Sequence, residues 1–261
     1  MLSVQHLGFS YGKRQVFSDI SFSALEGELC GLFGPNGSGK TTLFKCCLGL
    51  LPLQAGSVQI NGKDIRSLSL RDLARLASYV PQEHRPPFPY SVREVVLMGR
   101  TPHMGGIFGI RAIDREKTRD IIDLLGLDEF EDRPYNELSS GQRQMVLIAR
   151  AIAQETRIMF LDEPTSALDF SNQVHIWELM RTIVESGTTI LACSHDPNHV
   201  AWFCDRVVVM DETGSIVANG TPAEVISEPV LDVIYPDTCA VRRVDRVQMV
   251  LPRQIAEHDK F

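Results

Sequence analysis

Long apolar runs are missing from this chain: no stretch approaches the roughly 18 to 20 residues needed to cross a bilayer, so it is expected to be soluble and to span no membrane. A positively charged segment leading into an apolar run is also missing at the N-terminus, so no export signal is expected. No basic block stands out, and the formal charge is -7 from 26 basic and 33 acidic residues, which argues against nucleic acid as the main partner. Cysteine is sparse, six in all without a Cys-x-x-Cys pair, and the neighbours Cys46 and Cys47 point in different directions on an expected helix. Zinc and disulfide frameworks are thereby disfavoured, and reduced, mostly buried thiols are expected. There is no internal repeat, so only one copy of whatever unit this is can be present. An Asn-Lys-x-Asp string is absent too, which removes the usual guanine-specific signal. What remains is 261 residues, 44% hydrophobic and 23% charged, enough for one compact domain with a smaller lobe inserted into it.

Against that background three motifs stand in order. The first is Gly34, Pro35, Asn36, Gly37, Ser38, Gly39, Lys40 and Thr41, followed by Thr42. Its glycines let the backbone turn N–H groups inward around a chain of phosphates, and the helix expected to begin near Gly39 adds its positive end. Lys40 can reach the β- and γ-phosphates, and the Thr41 hydroxyl is placed to ligate Mg²⁺. The apolar run 27–33 upstream suits a buried strand, so the context is strand, loop, helix. Further on, Asp162 and Glu163 follow the four apolar residues 158–161, which read as an interior parallel strand. Carboxylates at such a strand's carboxyl end lie on the rim where open α/β sheets bind ligands. There Asp162 can hold Mg²⁺ through its water shell and Glu163 can polarise an attacking water.

Between these two lies Leu138-Ser139-Ser140-Gly141-Gln142. Met145, Ile148, Ala149 and Ile152 recur at helical spacing on one face, so residues 139–141 open a helix with a serine at its cap, an anion-binding end. With the three motifs in this order the chain resembles the ATP-binding cassette family over nearly all of residues 1–230. The resemblance implies ATP and Mg²⁺ as cofactors. It also implies an α/β fold, a P-loop NTPase core with a mainly parallel sheet, an antiparallel β flank over the base and an inserted helical lobe at about 83–155. In that family the signature, here Ser139, Ser140, Gly141 and Gln142, faces the γ-phosphate held by a second copy in a head-to-tail dimer. The family usually has glycine where this chain has Ser140; the β-carbon and hydroxyl there either crowd the phosphate or add a donor. Tyr11 resembles the platform on which the adenine stacks. Gln82 resembles the glutamine that senses Mg²⁺ and the attacking water. Residues 166–169, ending in Asp169, resemble the family's loop that crosses the dimer interface, and His195 resembles the histidine that hydrogen-bonds the γ-phosphate.

Strands are expected at 2–9, 15–22 and 57–60, the last ending in an Asn61-Gly62 tight turn, and again at 188–192, 206–210 and 215–218. Helical pattern dominates 70–153, broken by loops at 85–90 and 105–109, and returns at 173–184. Residues 1–235 are expected to be a single ATPase domain and 236–261 an extension with the pattern of a β ribbon. The stretch 88–103, ending Gly99-Arg100-Thr101-Pro102-His103, resembles cassettes of bacterial importers for iron chelates, haem, cobalamin and molybdate. There the loop receives a helix from the membrane subunit, and Phe88 and Tyr90 offer aromatic contact at low entropic cost. The resemblance therefore implies an ATPase subunit at the cytoplasmic face of the inner membrane. Two integral membrane permease subunits and, indirectly, an extracytoplasmic substrate-binding protein are its implied partners, with an iron chelate as first cargo. The alternative from another class is a soluble single cassette of iron–sulfur cluster assembly.

Overall fold

The computed structural model describes residues 1–82, 88–104, 109–166, 168–245 and 247–257. The chain starts as a hairpin of β1 (Leu2–Tyr11) and β2 (Arg14–Ala24), whose inward residues include Leu2, Val4, Leu7, Phe9, Phe17, Ile20 and Phe22. Then β3 (Leu29–Phe33), buried throughout, runs into the glycine loop and α1 (Lys40–Cys47). Next come β4 (Ala55–Ile60) and β5 (Lys63–Asp64), which complete an antiparallel sheet of order β2-β1-β4-β5. Asn61 and Gly62 join them with φ of 52° and 72°, the left-handed pair that a two-residue turn requires.

After α2 (Leu70–Leu76) the chain makes β6 (Ala77–Val80) and then the lobe helices α3 (Val92–Met98), α4 (Ala112–Leu124) and α5 (Ser140–Ala153). The strand β6 corrects the helical reading of 70–153: four residues between two helices are too few for period-2 alternation to show, and pairing with β7 (Ile158–Leu161) decides their state. Beyond lie α6 (Phe170–Glu185), β8 (Thr189–Ser194), α7 (Pro197–Phe203), β9 (Arg206–Met210) and β10 (Ile216–Gly220). Together they form a six-stranded sheet ordered β10-β9-β3-β8-β7-β6, parallel except for the edge strand β10. Buried residues of β3 alternate between two cores: Cys30 and Leu32 face the antiparallel sheet and α1, while Leu29 and Phe33 face the side of α6 and α7.

On α5 the expected face, Met145, Ile148, Ala149 and Ile152, packs into the core, and burial extends beyond it to Gln144, Val146, Leu147, Ala151 and Ala153. The helix packs on α3, α4 and β6. The chain ends with α8 (Pro222–Val225), α9 (Glu228–Ile234), an antiparallel pair β11 (Cys239–Val244) and β12 (Val247–Pro252), and α10 (Arg253–Glu257). That pair docks on α7: the Asn198 amide donates to the Val250 carbonyl at 3.2 Å and accepts from the Val250 N–H at 2.8 Å, and the Trp202 indole donates to the Gln248 carbonyl. All six cysteines are buried and free.

Candidate active site

The glycine loop turns between the end of β3 and the start of α1. Gly37 and Gly39 hold φ of 85° and 98°, which only glycine adopts without strain. At Gly34 a β-carbon would lie 2.3 Å from the Met210 carbonyl oxygen of β9, so the loop's first residue has no room for a side chain. Lys40 is buried and folds back, donating to the carbonyls of Gly34 at 2.8 Å and Pro35 at 2.9 Å. Burial pushes its ammonium pKa down, opposed by Cys193, Glu163 and Asp162. The Ser38 hydroxyl is buried without a hydrogen-bond partner.

Tyr11, Asn36, Gly37, Gly39, Lys40, Thr41, Thr42, Gln82 and Glu163 line one cleft of roughly 470 Å³. Tyr11 is half exposed and meets the Phe9 ring edge-on at 4.9 Å, so one ring face is open for stacking. Arg14 and Val16 line the same cleft and escaped the sequence reading. Their signal is the short Gly12 turn, which pairs Arg14 with Tyr11 across the hairpin.

Asp162, beside Glu163 in sequence but not itself in the cleft lining, is 2% exposed. Burial raises its pKa above the ordinary carboxylate range, against the pull of the Thr41 and Tyr79 hydroxyls. Tyr79 donates to its Oδ2 at 3.2 Å, a contact visible only once β6 is recognised as the strand beside β7, while Oδ1 makes no well-formed hydrogen bond. A buried, unsatisfied carboxylate oxygen next to a threonine hydroxyl suits a hard cation. Among the described residues there is no cluster of three or more His, Cys, Asp or Glu. Thr41, Asp162 and Gln82 could supply the few protein oxygens that Mg²⁺ takes alongside substrate phosphates.

Glu163 has a left-handed backbone, φ 48°, a conformation that costs energy in a non-glycine residue and is found at functional sites. Its Oε2 accepts from Gln82 Nε2 at 3.0 Å and lies 3.4 Å from His195 Nδ1. A second, polar cavity of roughly 60 Å³ shares Glu163 and is lined by Ser166, Ser194, His195 and Asp196 among others. Gln82, Glu163 and His195 thus lie side by side.

The signature residues do not line this cleft. Ser139 caps α5: its hydroxyl accepts from the Gln142 N–H, and the Gln142 side chain accepts from the Ser139 N–H at 2.9 Å. Asp169 caps α6 from one side only, its carboxylate accepting from both the backbone N–H and the side-chain amide of Asn172, each at 2.9 Å. A β-carbon on Gly141 would lie 3.4 Å from Asn172, so the helix starts bearing Ser139, Ser140, Gly141 and Asp169 share one surface. In the stretch 88–103 Phe88 is 60% exposed, whereas Tyr90 is half-buried and packs against the core. Residues 83–87, and 105–108 of the glycine-rich loop, lie outside the described residues.

Comparison with known proteins gives the same picture. The family profile described as ABC transporter matches residues 17–166. The iron(3+)-hydroxamate import ATP-binding protein FhuC of Bacillus subtilis is 37% identical over 235 residues, 90% of this chain and 87% of its own. The hemin import ATP-binding protein HmuV of Escherichia coli O157:H7 is 34% identical, covering 90% of this chain and 92% of its own. Among solved structures, an inward-facing transporter described as of metal-chelate type superposes with a TM-score of 0.84 at 28% identity, over 96% of each chain. The chain belongs to the ABC transporter family, as one of its ATP-hydrolysing cassettes.

Proposed function

We propose that this chain powers a bacterial importer of an iron chelate or haem, working as a pair of copies beneath two membrane permease subunits. The observation that carries the reading is the convergence of Lys40, Thr41, Gln82 and Glu163 on one cleft in a chain whose relatives are import ATP-binding proteins. No helix among the described residues is long and apolar enough to cross a membrane, which agrees with a peripheral subunit on the cytoplasmic face. The relatives favour import over the soluble cluster-assembly alternative, and their cargoes place siderophore and haem ahead of cobalamin and molybdate.

In this reading residues 1–235 are the ATPase unit, the lobe at 83–155 carries the signature, and 236–261 is an extension braced on α7. The base stacks on Tyr11, and the N–H groups of 36–42 with Lys40 cradle the phosphates. Lys40 exchanges the Gly34 and Pro35 carbonyls for phosphate oxygens. Mg²⁺ held by Thr41, Asp162 and Gln82 would neutralise phosphate charge. Glu163, oriented by Gln82, accepts a proton from water attacking in line, and His195 with a second copy's signature stabilises the transferring group's charge. Closure of the pair on ATP and its opening after hydrolysis move the permeases through the docking stretch.

The test is to express the tagged chain in its host, extract membranes in mild detergent and identify what co-purifies. A multi-span membrane protein at equal stoichiometry is expected. Recovery in the soluble fraction with cluster-assembly proteins would overturn the transport reading while leaving the ATP chemistry intact.

A further inference from the structure

The string 99–103 joins the end of α3 to the end of α5; Thr101 donates back to the Met98 carbonyl of α3 at 2.6 Å, and the other four residues make the junction. Gly99 lies so close to α5 that a β-carbon would sit 2.1 Å from the Arg150 carbonyl oxygen. Arg100 is 2% exposed; its Nη1 donates to the Ala153 carbonyl at 2.7 Å and to Glu155 at 2.8 Å, and its Nε meets Asp114 at 3.4 Å. His103 Nε2 bonds the Gln154 carbonyl at 2.8 Å. The last carbonyls of α5, which lack partners within the helix, are thus met by a cation and an imidazole, the charge sign that a helix carboxyl end favours. The Pro102 carbonyl accepts from Arg71 at 3.0 Å and Arg75 at 3.1 Å, both on α2 of the core. Gln154 adds amide bonds to the Ala74 and Ala77 carbonyls. The string therefore ties α4, the signature helix and α2 together at one point, and none of its residues lines the cleft.

We propose that this string is a clasp that fixes the carboxyl end of α5, and that Arg100 and His103 are positioning residues for hydrolysis. Through the clasp they set where the other end of the same helix, Ser139 and Gly141, meets the nucleotide of a second copy; this rests on the dimer reading above. The lever is long. Fourteen residues of helix span about 21 Å, so a tilt of about 3° at the clasp moves Ser139 by about 1 Å. A misplacement of that size costs up to about a hundredfold in rate. Nucleotide binding to one copy, by contrast, uses only residues the clasp does not touch.

The experiment uses the full chain with His103→Leu and Arg100→Lys. The first deletes one half-buried hydrogen bond and preserves the fold; the second keeps the charge but loses the fork that serves Ala153, Glu155 and Asp114 together. The expected result is a kcat for ATP hydrolysis lowered about tenfold or more, with affinity for a fluorescent ATP analogue within about twofold of the parent. His103→Gln, whose amide N–H can reach the Gln154 carbonyl, is expected to restore most of the rate. In the Glu163→Gln background both variants should weaken the ATP-dependent dimer. An unchanged kcat, or a loss that His103→Gln does not restore, would overturn the clasp. If Glu163→Gln with an intact clasp forms no dimer on ATP, the dimer reading itself falls and takes the proposal with it.

Discussion

Replacing Glu163 by Gln isolates the chemical step from everything that surrounds it. Glutamine has the same shape, and its Oε1 can still accept the 3.0 Å bond from Gln82 Nε2. The backbone, already left-handed at φ 48°, has no new reason to move. Lys40, Thr41 and Asp162 are untouched, so the phosphates keep their cradle, and one negative charge leaves a site that must accept a polyanion. Nucleotide affinity is expected to hold or rise. Only the proton acceptor is lost, and a positioned general base contributes about 10²–10⁴-fold, equivalent to about 2.7–5.4 kcal/mol of barrier. Phosphate release in single-turnover mixing with protein in excess measures that loss without product release intervening, and size-exclusion chromatography with ATP tests for an accumulated dimer. A single-turnover rate within about threefold of the parent would refute Glu163 as the base.

Four further expectations use other parts of the fold. Asp162→Asn should raise the melting temperature of the nucleotide-free protein, because burial raises the carboxyl's folded pKa and its charge opposes folding until pH falls through that value; a gain of about 0.5–2 kcal/mol is about 2–4 °C per kcal/mol by calorimetry, with Mg²⁺-dependent tightening of ATP lost. Asp114 behaves oppositely: the Arg111 hydrogen bond holds its carboxyl below the ordinary range, so its stabilisation is present above the unfolded pKa and disappears as pH drops through the folded one. Arg111→Met should therefore move the acid unfolding midpoint, followed by circular dichroism, to higher pH. Phe88→Ala should leave the melting temperature nearly unchanged yet reduce recovery in the membrane fraction, whereas half-buried Tyr90→Ala should cost about 1–3 kcal/mol on denaturant unfolding. Asn198→Ala removes two hydrogen bonds to Val250, about 0.5–1.5 kcal/mol each, and should speed proteolysis within 236–252.

Local chemistry made the phosphate loop legible: glycine positions, a lysine and a threonine carry their function in their own spacing, and the structure puts them on one cleft. The same holds for the Asn61-Gly62 turn. What the sequence hid depends on neighbours distant along the chain. The strand β6 is too short to announce itself, and Tyr79 therefore had no visible link to Asp162, 83 positions away. On α5 the spacing of Met145, Ile148, Ala149 and Ile152 marked the core-facing side, but not that burial continues to Val146, Leu147 and Ala151, which depends on the neighbouring helices. Arg14 was hidden by its exposure, since a charged residue after a turn ordinarily means only solvent.

The bond between Asn198 and Val250 spans 52 positions, and that separation has a timing. At about 5–20 residues per second of synthesis, roughly 3–10 s pass between the appearance of one partner and the other. The phosphate loop and all six strands of the main sheet have by then left the peptidyl-transferase centre, while the helix directly after His195 still waits for its cover. On the ribosome, nucleotide binding and a finished His195 segment are thus separate events, and pulse-labelled nascent chains should acquire the first before protease resistance in the second.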